Sequence, residues 1–202
     1  MGLQGSEKKP KKNSQTTGFQ RIECEKKIRE RGVGEGKSPL GGALDGCTFA
    51  AMAAEQPIIW ITGQPGAGKS TIGRALLDSL RKDGVDTFLV DGDDLRALTA
   101  NADYSPAGRE ANIRRAQDIA LYLSRQGRVA IVAVVAPFKW LREEFKARAT
   151  VREVYVHTTE IRGREHYHSD EYGAPETDYL DLDTTEANVA QSVQEVRRYA
   201  DL

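Results

Sequence analysis

Gly63-Gln64-Pro65-Gly66-Ala67-Gly68-Lys69-Ser70 satisfies the pattern G-x-x-x-x-G-K-[ST] in full. Directly before it runs Ile58-Ile59-Trp60-Ile61-Thr62, an apolar stretch of strand length, and from Lys69 onward the apolar spacing becomes helical. A glycine-rich turn between a strand and a helix is a phosphate cradle. Its glycines let the backbone curl close to an anion, and several N–H groups then point inward at a helix N-terminus whose dipole favours negative charge. The segment from Gly63 to Thr71 is therefore expected to hold the phosphates of ATP. Lys69 would neutralise the β- and γ-phosphates and Ser70 would ligate Mg²⁺.

Outward from this loop, apolar runs alternate with amphipathic segments, the signature of βαβ units. Strands are expected at 58–62, 87–91, 129–135, 153–157 and 179–183, and helices at 69–82, 106–125, 140–149 and 185–199. The fold class that follows is α/β: a three-layer P-loop NTPase fold with a five-stranded, mostly parallel sheet flanked by helices. Residues 1–55 contrast with this pattern. They hold nine of the 19 glycines, a Lys8-Lys9-Pro10-Lys11-Lys12 cluster and little apolar periodicity. A disordered extension is expected over 1–55, ahead of a kinase domain over 56–202.

Charge and cysteine content narrow the function classes. A net charge of −1 gives no whole-chain argument for a nucleic-acid or membrane-surface partner. Both cysteines, Cys24 and Cys47, precede residue 56, so the expected domain has no disulfide and no thiol nucleophile. That fits a reducing, cytoplasmic setting. No apolar run approaches the roughly 18 to 20 residues of a membrane helix. A guanine-reading Asn-Lys-x-Asp segment is missing from the sequence, which turns the reading away from GTPases and towards a small-molecule kinase.

The acceptor side is read from two further segments. Asp91-Gly92-Asp93-Asp94-Leu95-Arg96 follows the second strand, and in a parallel sheet the carboxyl ends of strands border the binding crevice. Asp93 is the expected catalytic acid beside Lys69, positioned to orient an attacking hydroxyl or accept its proton. Asp94 is expected to cap a helix starting near Leu95. Further on, Tyr104-Ser105-Pro106 supplies an aromatic, a capping hydroxyl and a proline at the first position of a helix. Arg109 and Asn112 share one face near the start of that helix. Together with Tyr104 they suit a nucleotide-like acceptor.

These residues resemble the adenylylsulfate kinase family, which phosphorylates the 3′-hydroxyl of adenosine 5′-phosphosulfate with MgATP. The resemblance rests on Trp60 to Ile72, Val90 to Arg96, Tyr104-Ser105, Arg109 to Arg115 and Pro137 to Arg142, all in family order. It implies acceptor contacts from Asp91, Asp93, Asp94, Arg96, Arg109 and Asn112, and from Val135 and Ala136 after the third strand. It also implies that Tyr104 takes the place of a phenylalanine stacking on adenine, and that the protein forms a homodimer. Two departures stand out. Ala136 replaces a serine usual in the family, and residues 159–175 are shorter than the family's lid and lack its Lys-Gly-Leu-Tyr segment. Arg162 or Arg164 is left to cover ATP.

Two other readings share the scaffold. One is a kinase of another hydroxylated nucleotide, such as hydroxymethylated pyrimidines in DNA, for which a short lid opens the acceptor site; a nucleic-acid partner is expected only in that case. The other is a nucleotide-binding module without turnover. His166, His168 and Asp170 invite a metal reading, but their spacing of two suits one face of a strand and no cysteine accompanies them.

Overall fold

Ile58–Thr62 (β1) is fully buried along its length, with Ile59 and Ile61 facing one apolar cluster and Ile58 and Trp60 the other. A strand that is apolar on both faces needs cover on both, and this dictates three layers. The structure is a computed structural model that describes residues 54–202. The extension expected over 1–55, with both cysteines and the basic cluster, lies outside the described residues except for Ala54 and Glu55.

The remaining strands are Thr87–Asp91 (β2), Val129–Ala133 (β3), Val151–His157 (β4) and Tyr179–Asp183 (β5). They form one sheet in the order β2-β3-β1-β4-β5, and every pairing is parallel. Because β1 lies between β3 and β4, the chain leaves β1 for one edge and later crosses to the other. The carboxyl end of β1 is thus the switch point at which α/β sheets open a crevice. The helices are Lys69–Lys82 (α1), Gly92–Leu98 (α2), Pro106–Arg125 (α3), Lys139–Lys146 (α4) and Val189–Ala200 (α5). On one face of the sheet Ile72, Leu76 and Leu80 of α1 pack with Val193, Val196 and Ala200 of α5. On the other, Leu95, Ile113, Ala116, Leu141 and Phe145 join α2, α3 and α4 to Trp60. No helix among the described residues is long and apolar enough to cross a membrane.

Several boundaries differ from expectation: the strand expected at 153–157 starts at Val151, the helix expected at 140–149 spans Lys139–Lys146, and three further differences bear on the site. The third strand stops at Ala133 rather than at residue 135: Val134 still donates to the Ile61 carbonyl, but the Val135 carbonyl is taken by Thr62 Oγ1 at 2.8 Å and Ala136 turns the chain away in a left-handed conformation, φ 42°. A helix begins at Gly92 and not near Leu95, and its cap is Asp91, whose carboxylate accepts from the Asp93 N–H. Asp94 therefore lies inside the first turn and caps nothing. The last helix starts at Val189, capped by Asn188, whereas Thr185 is drawn into a turn by Asp183. Residues 165–167 form a 3₁₀ turn, so His166 and His168 do not share a strand face.

Candidate active site

Four of the residues in the phosphate loop act through their backbone. Gly63 has φ 146°, and a Cβ there would meet the Val156 carbonyl oxygen at 2.0 Å, so only glycine lets the loop leave β1 against β4. Gly66 and Gly68 also have positive φ, and Gly68 precedes the first turn of α1. Ala67 is buried, and its carbonyl accepts from Thr184 Oγ1 at 2.9 Å. Lys69 is 8% exposed and donates from Nζ to the Gln64 carbonyl at 2.8 Å. Burial pushes its ammonium down to about 8, against the pull of Asp93 and Asp91; Arg164 lowers it further.

The two aspartates hold different positions. Asp91 is buried, and with Oδ1 taken by the Asp93 N–H its Oδ2 is left buried without a partner. Asp93 is exposed in the first turn of α2. A hydroxyl on Ser70 and an uncommitted carboxylate oxygen on Asp91 are hard oxygen donors, and such a set suits Mg²⁺.

The acceptor loop is fixed from within. Ser105 Oγ accepts from the Gly108 N–H at 3.2 Å, with Pro106 in the first turn of α3, as the sequence indicated. Arg96 donates to the carbonyls of Asn101 and Asp103, at 3.2 and 2.7 Å, and its guanidinium lies 4.3 Å from the Tyr104 ring centroid. Arg109 donates to the Tyr104 carbonyl at 3.0 Å and stands 5.8 Å from the same ring. Tyr104 itself is 60% exposed, an aromatic plate flanked by two cations. Asn112 is buried; its amide nitrogen donates to Gly92, and its Oδ1 is unpartnered.

A single cavity of about 1260 Å³ is lined both by the loop residues Pro65, Gly66, Gly68, Lys69, Ser70 and Thr71 and by Asp91, Asp93, Asp94 and Arg96. Tyr104, Arg109, Asn112, Val135, Ala136 and Arg164 border it as well. Gln64, Ala67 and Arg162 line instead a smaller cavity of about 230 Å³, together with Tyr155 and His157. Arg162 is held there by Glu160, the Thr184 carbonyl at 2.7 Å and the Gly66 carbonyl at 3.3 Å. The two lid arginines are thus separated: Arg164 lines the cavity of Lys69, and Arg162 does not. Sequence reasoning missed Arg74, His166 and Tyr167 as cleft residues. Arg74 was findable, since it stands four positions beyond Ser70 on the helix that the loop opens. Nothing in the spacing of His166 and Tyr167 pointed to the cleft, because the segment 158–173 that carries them has no regular period.

With this geometry in hand, residues 55–171 match the adenylylsulphate kinase family. The adenylyl-sulfate kinase of Pseudomonas aeruginosa is 45% identical over 98 residues, 48% of this chain and 50% of that protein, so the match spans about half of that relative. The adenylyl-sulfate kinase of Staphylococcus epidermidis is 32% identical over 164 residues, 70% of this chain and 82% of that protein. The structure of the Mycobacterium tuberculosis APS kinase in complex with AMPPNP and APS superposes with a TM-score of 0.66 at 23% identity, covering 73% of this chain and 99% of that one. At that identity the likeness speaks for the fold.

Proposed function

The chain belongs to the adenylylsulphate kinase family, and from that premise we propose that it transfers the γ-phosphoryl group of ATP to the 3′-hydroxyl of adenosine 5′-phosphosulfate, giving 3′-phosphoadenylyl sulfate and ADP. One observation supports this reading above the rest: the phosphate loop and the acidic, aromatic and basic groups after β2 border the same cavity, with Asp93 and Asp91 near enough to act on the Lys69 ammonium.

In this reading the acceptor oxygen forms its bond to the γ-phosphorus while the bond from that phosphorus to the β–γ bridging oxygen breaks. Asp93 takes the hydroxyl proton, and ADP leaves. Lys69 and Arg164 offset the charge on the phosphate oxygens, in a cleft where such charges weigh more than in water. Mg²⁺ bound with the triphosphate supplies further neutralisation; Ser70 and the free oxygen of Asp91 are the groups that would hold it. On the acceptor side Tyr104 stacks on the base, Arg96 and Arg109 pair with the phosphosulfate, and the unpartnered Oδ1 of Asn112 accepts a hydrogen bond.

The exposure of Tyr104 favours keeping a second acceptor class in view, a hydroxylated nucleotide such as hydroxymethyluracil in DNA. A coupled ADP-release assay with ATP, Mg²⁺ and an acceptor panel separates the two. The expected result is ADP formation that depends on adenosine 5′-phosphosulfate, with nucleoside monophosphates and hydroxymethyluracil DNA at the level of the blank. ADP formation with the DNA alone would move the assignment to the second class, and none with any acceptor would leave a nucleotide-binding module.

A further inference from the structure

Residues 158–173 run as a strap over the phosphate loop, and the strap is tied down at successive points. The Gln64 side chain makes a reciprocal pair with the backbone of Ser169: Nε2 donates to the Ser169 carbonyl and Oε1 accepts from its N–H, both at 3.1 Å. His168 Nε2 lies 3.1 Å from the Pro65 carbonyl oxygen, and Arg162 donates to the Gly66 carbonyl. The Tyr172 hydroxyl meets Thr62 Oγ1 at 3.0 Å. The strap's far end is pinned where the Gly173 N–H donates to Pro137 and the buried Arg142 donates to Gly173. The strap also passes close over the loop, since a Cβ added at Gly66 would stand 3.4 Å from Arg164 Cβ.

Among these ties the Gln64 pair is chemically the most demanding. Ser169 is 9% exposed, so its backbone polar groups need partners inside the protein; its carbonyl accepts from the Tyr172 N–H at 3.1 Å as well as from Gln64, and its N–H has Gln64 Oε1. A primary amide presents one donor and one acceptor side by side, as a peptide bond does, and satisfies both at once. No apolar side chain can do so, and a carboxylate can do only half. The motif tolerates any residue at this position of the loop, which leaves the glutamine free for a task outside the phosphate cradle.

We propose that Gln64 is a positioning residue that clasps the strap shut on the phosphate loop whether or not nucleotide is bound, so that Arg164 stands beside Lys69 before a triphosphate arrives. The strap is then a fixed wall of the site rather than a lid that swings over it. The clasp itself is independent of the proposed reaction; its kinetic consequence rests on that reading.

Amide hydrogen exchange followed by mass spectrometry on the full chain, with peptides covering residues 158–173, tests the clasp. In the wild type the strap is expected to be protected equally with and without a non-hydrolysable ATP analogue. Gln64→Leu should exchange there roughly tenfold faster or more, since both hydrogen bonds from Gln64 are lost and the Ser169 N–H is left without its partner, and trypsin should cut it after Arg162 and Arg164. Peptides from β1 and β3 should exchange as in the wild type. Gln64→Glu, which keeps the acceptor and loses the donor, should fall between the two. In phosphotransfer Gln64→Leu is expected to raise KM for ATP several-fold while kcat changes by less than about twofold. A wild-type strap protected only when the analogue is bound overturns the proposal, as does unchanged strap exchange in Gln64→Leu, or a fall in kcat at constant KM. The wild-type comparison decides even if a variant fails to fold, and the exchange result stands if no phosphotransfer is found.

Discussion

Lys69 carries two opposed demands. Its ammonium must stay charged to meet phosphate, yet it is buried, and desolvation brings it down to about 8 in spite of Asp93 and Asp91. Raising the pH through that value neutralises the free enzyme's lysine and removes its attraction for the triphosphate. We therefore expect kcat/KM for ATP to fall tenfold per pH unit above about 8, a limb that reports the free enzyme. A profile that stays flat to pH 10 would contradict the burial. The same shift has a consequence for stability. Between about 8 and the ordinary value of 10.5 the unfolded chain binds more protons at this position than the folded one, so Lys69 makes stability rise with pH across that window. At the residue scale, Lys69 and Ser70 were legible because backbone geometry leaves the motif few alternatives. The cap was not: three acids in four positions all satisfy a capping preference, and only the backbone turn at Gly92 selects Asp91 over Asp94.

Elements meet the site through a buried ion network as well as through the loop. Arg142 in α4 is 2% exposed and donates to Glu153 of β4 at 2.7 Å, to the carbonyl of Ala136 and to the carbonyl of Gly173. Lys146 sits against the other oxygen of Glu153. The network holds helix, sheet, strap and the left-handed Ala136 in register, and removing Arg142 leaves the buried Glu153 with Lys146 alone and takes this donor from the carbonyls of Ala136 and Gly173. Arg142→Met is expected to destabilise the protein by about 3 to 5 kcal/mol, lowering Tm by roughly 10 °C or more for a domain of this size. A thermal melt within 2 °C or so of the wild type would show that the network contributes little. Pairing the change with Glu153→Gln should recover part of the loss. None of this was legible in the sequence, where Arg142 and Glu153 are a helix charge and a strand charge eleven positions apart. The strands fared better, because β1, β2 and β5 are bounded by turns that interrupt their apolar runs. The end of β3 was misjudged for the converse reason: Val134 and Val135 continue the apolar run past the last paired residue, Ala133, with only the Val134 N–H still bonded to β1, and hydropathy does not record where a ladder ends. Helix α2, seven residues long, is too short to show a period.

Across the whole molecule the topology does the organising. Parallel strands place the ends of β1, β2 and β3 on one rim, and the switch at β1 opens that rim into the cleft. The layered α/β architecture and the nucleotide side could be read from alternating patterns and one motif, both of which are local. The strap could not, because its conformation is decided by contacts with residues about a hundred positions earlier, Gln64 to Ser169 among them. The central claim is that this one cleft brings a triphosphate and an alcohol together across Lys69 and Asp93. It is tested most directly by initial-rate kinetics of Asp93→Asn with ATP and adenosine 5′-phosphosulfate. The account predicts kcat reduced on the order of a hundredfold or more with KM for ATP within about twofold of the wild type; a variant that turns over at the wild-type kcat would contradict it.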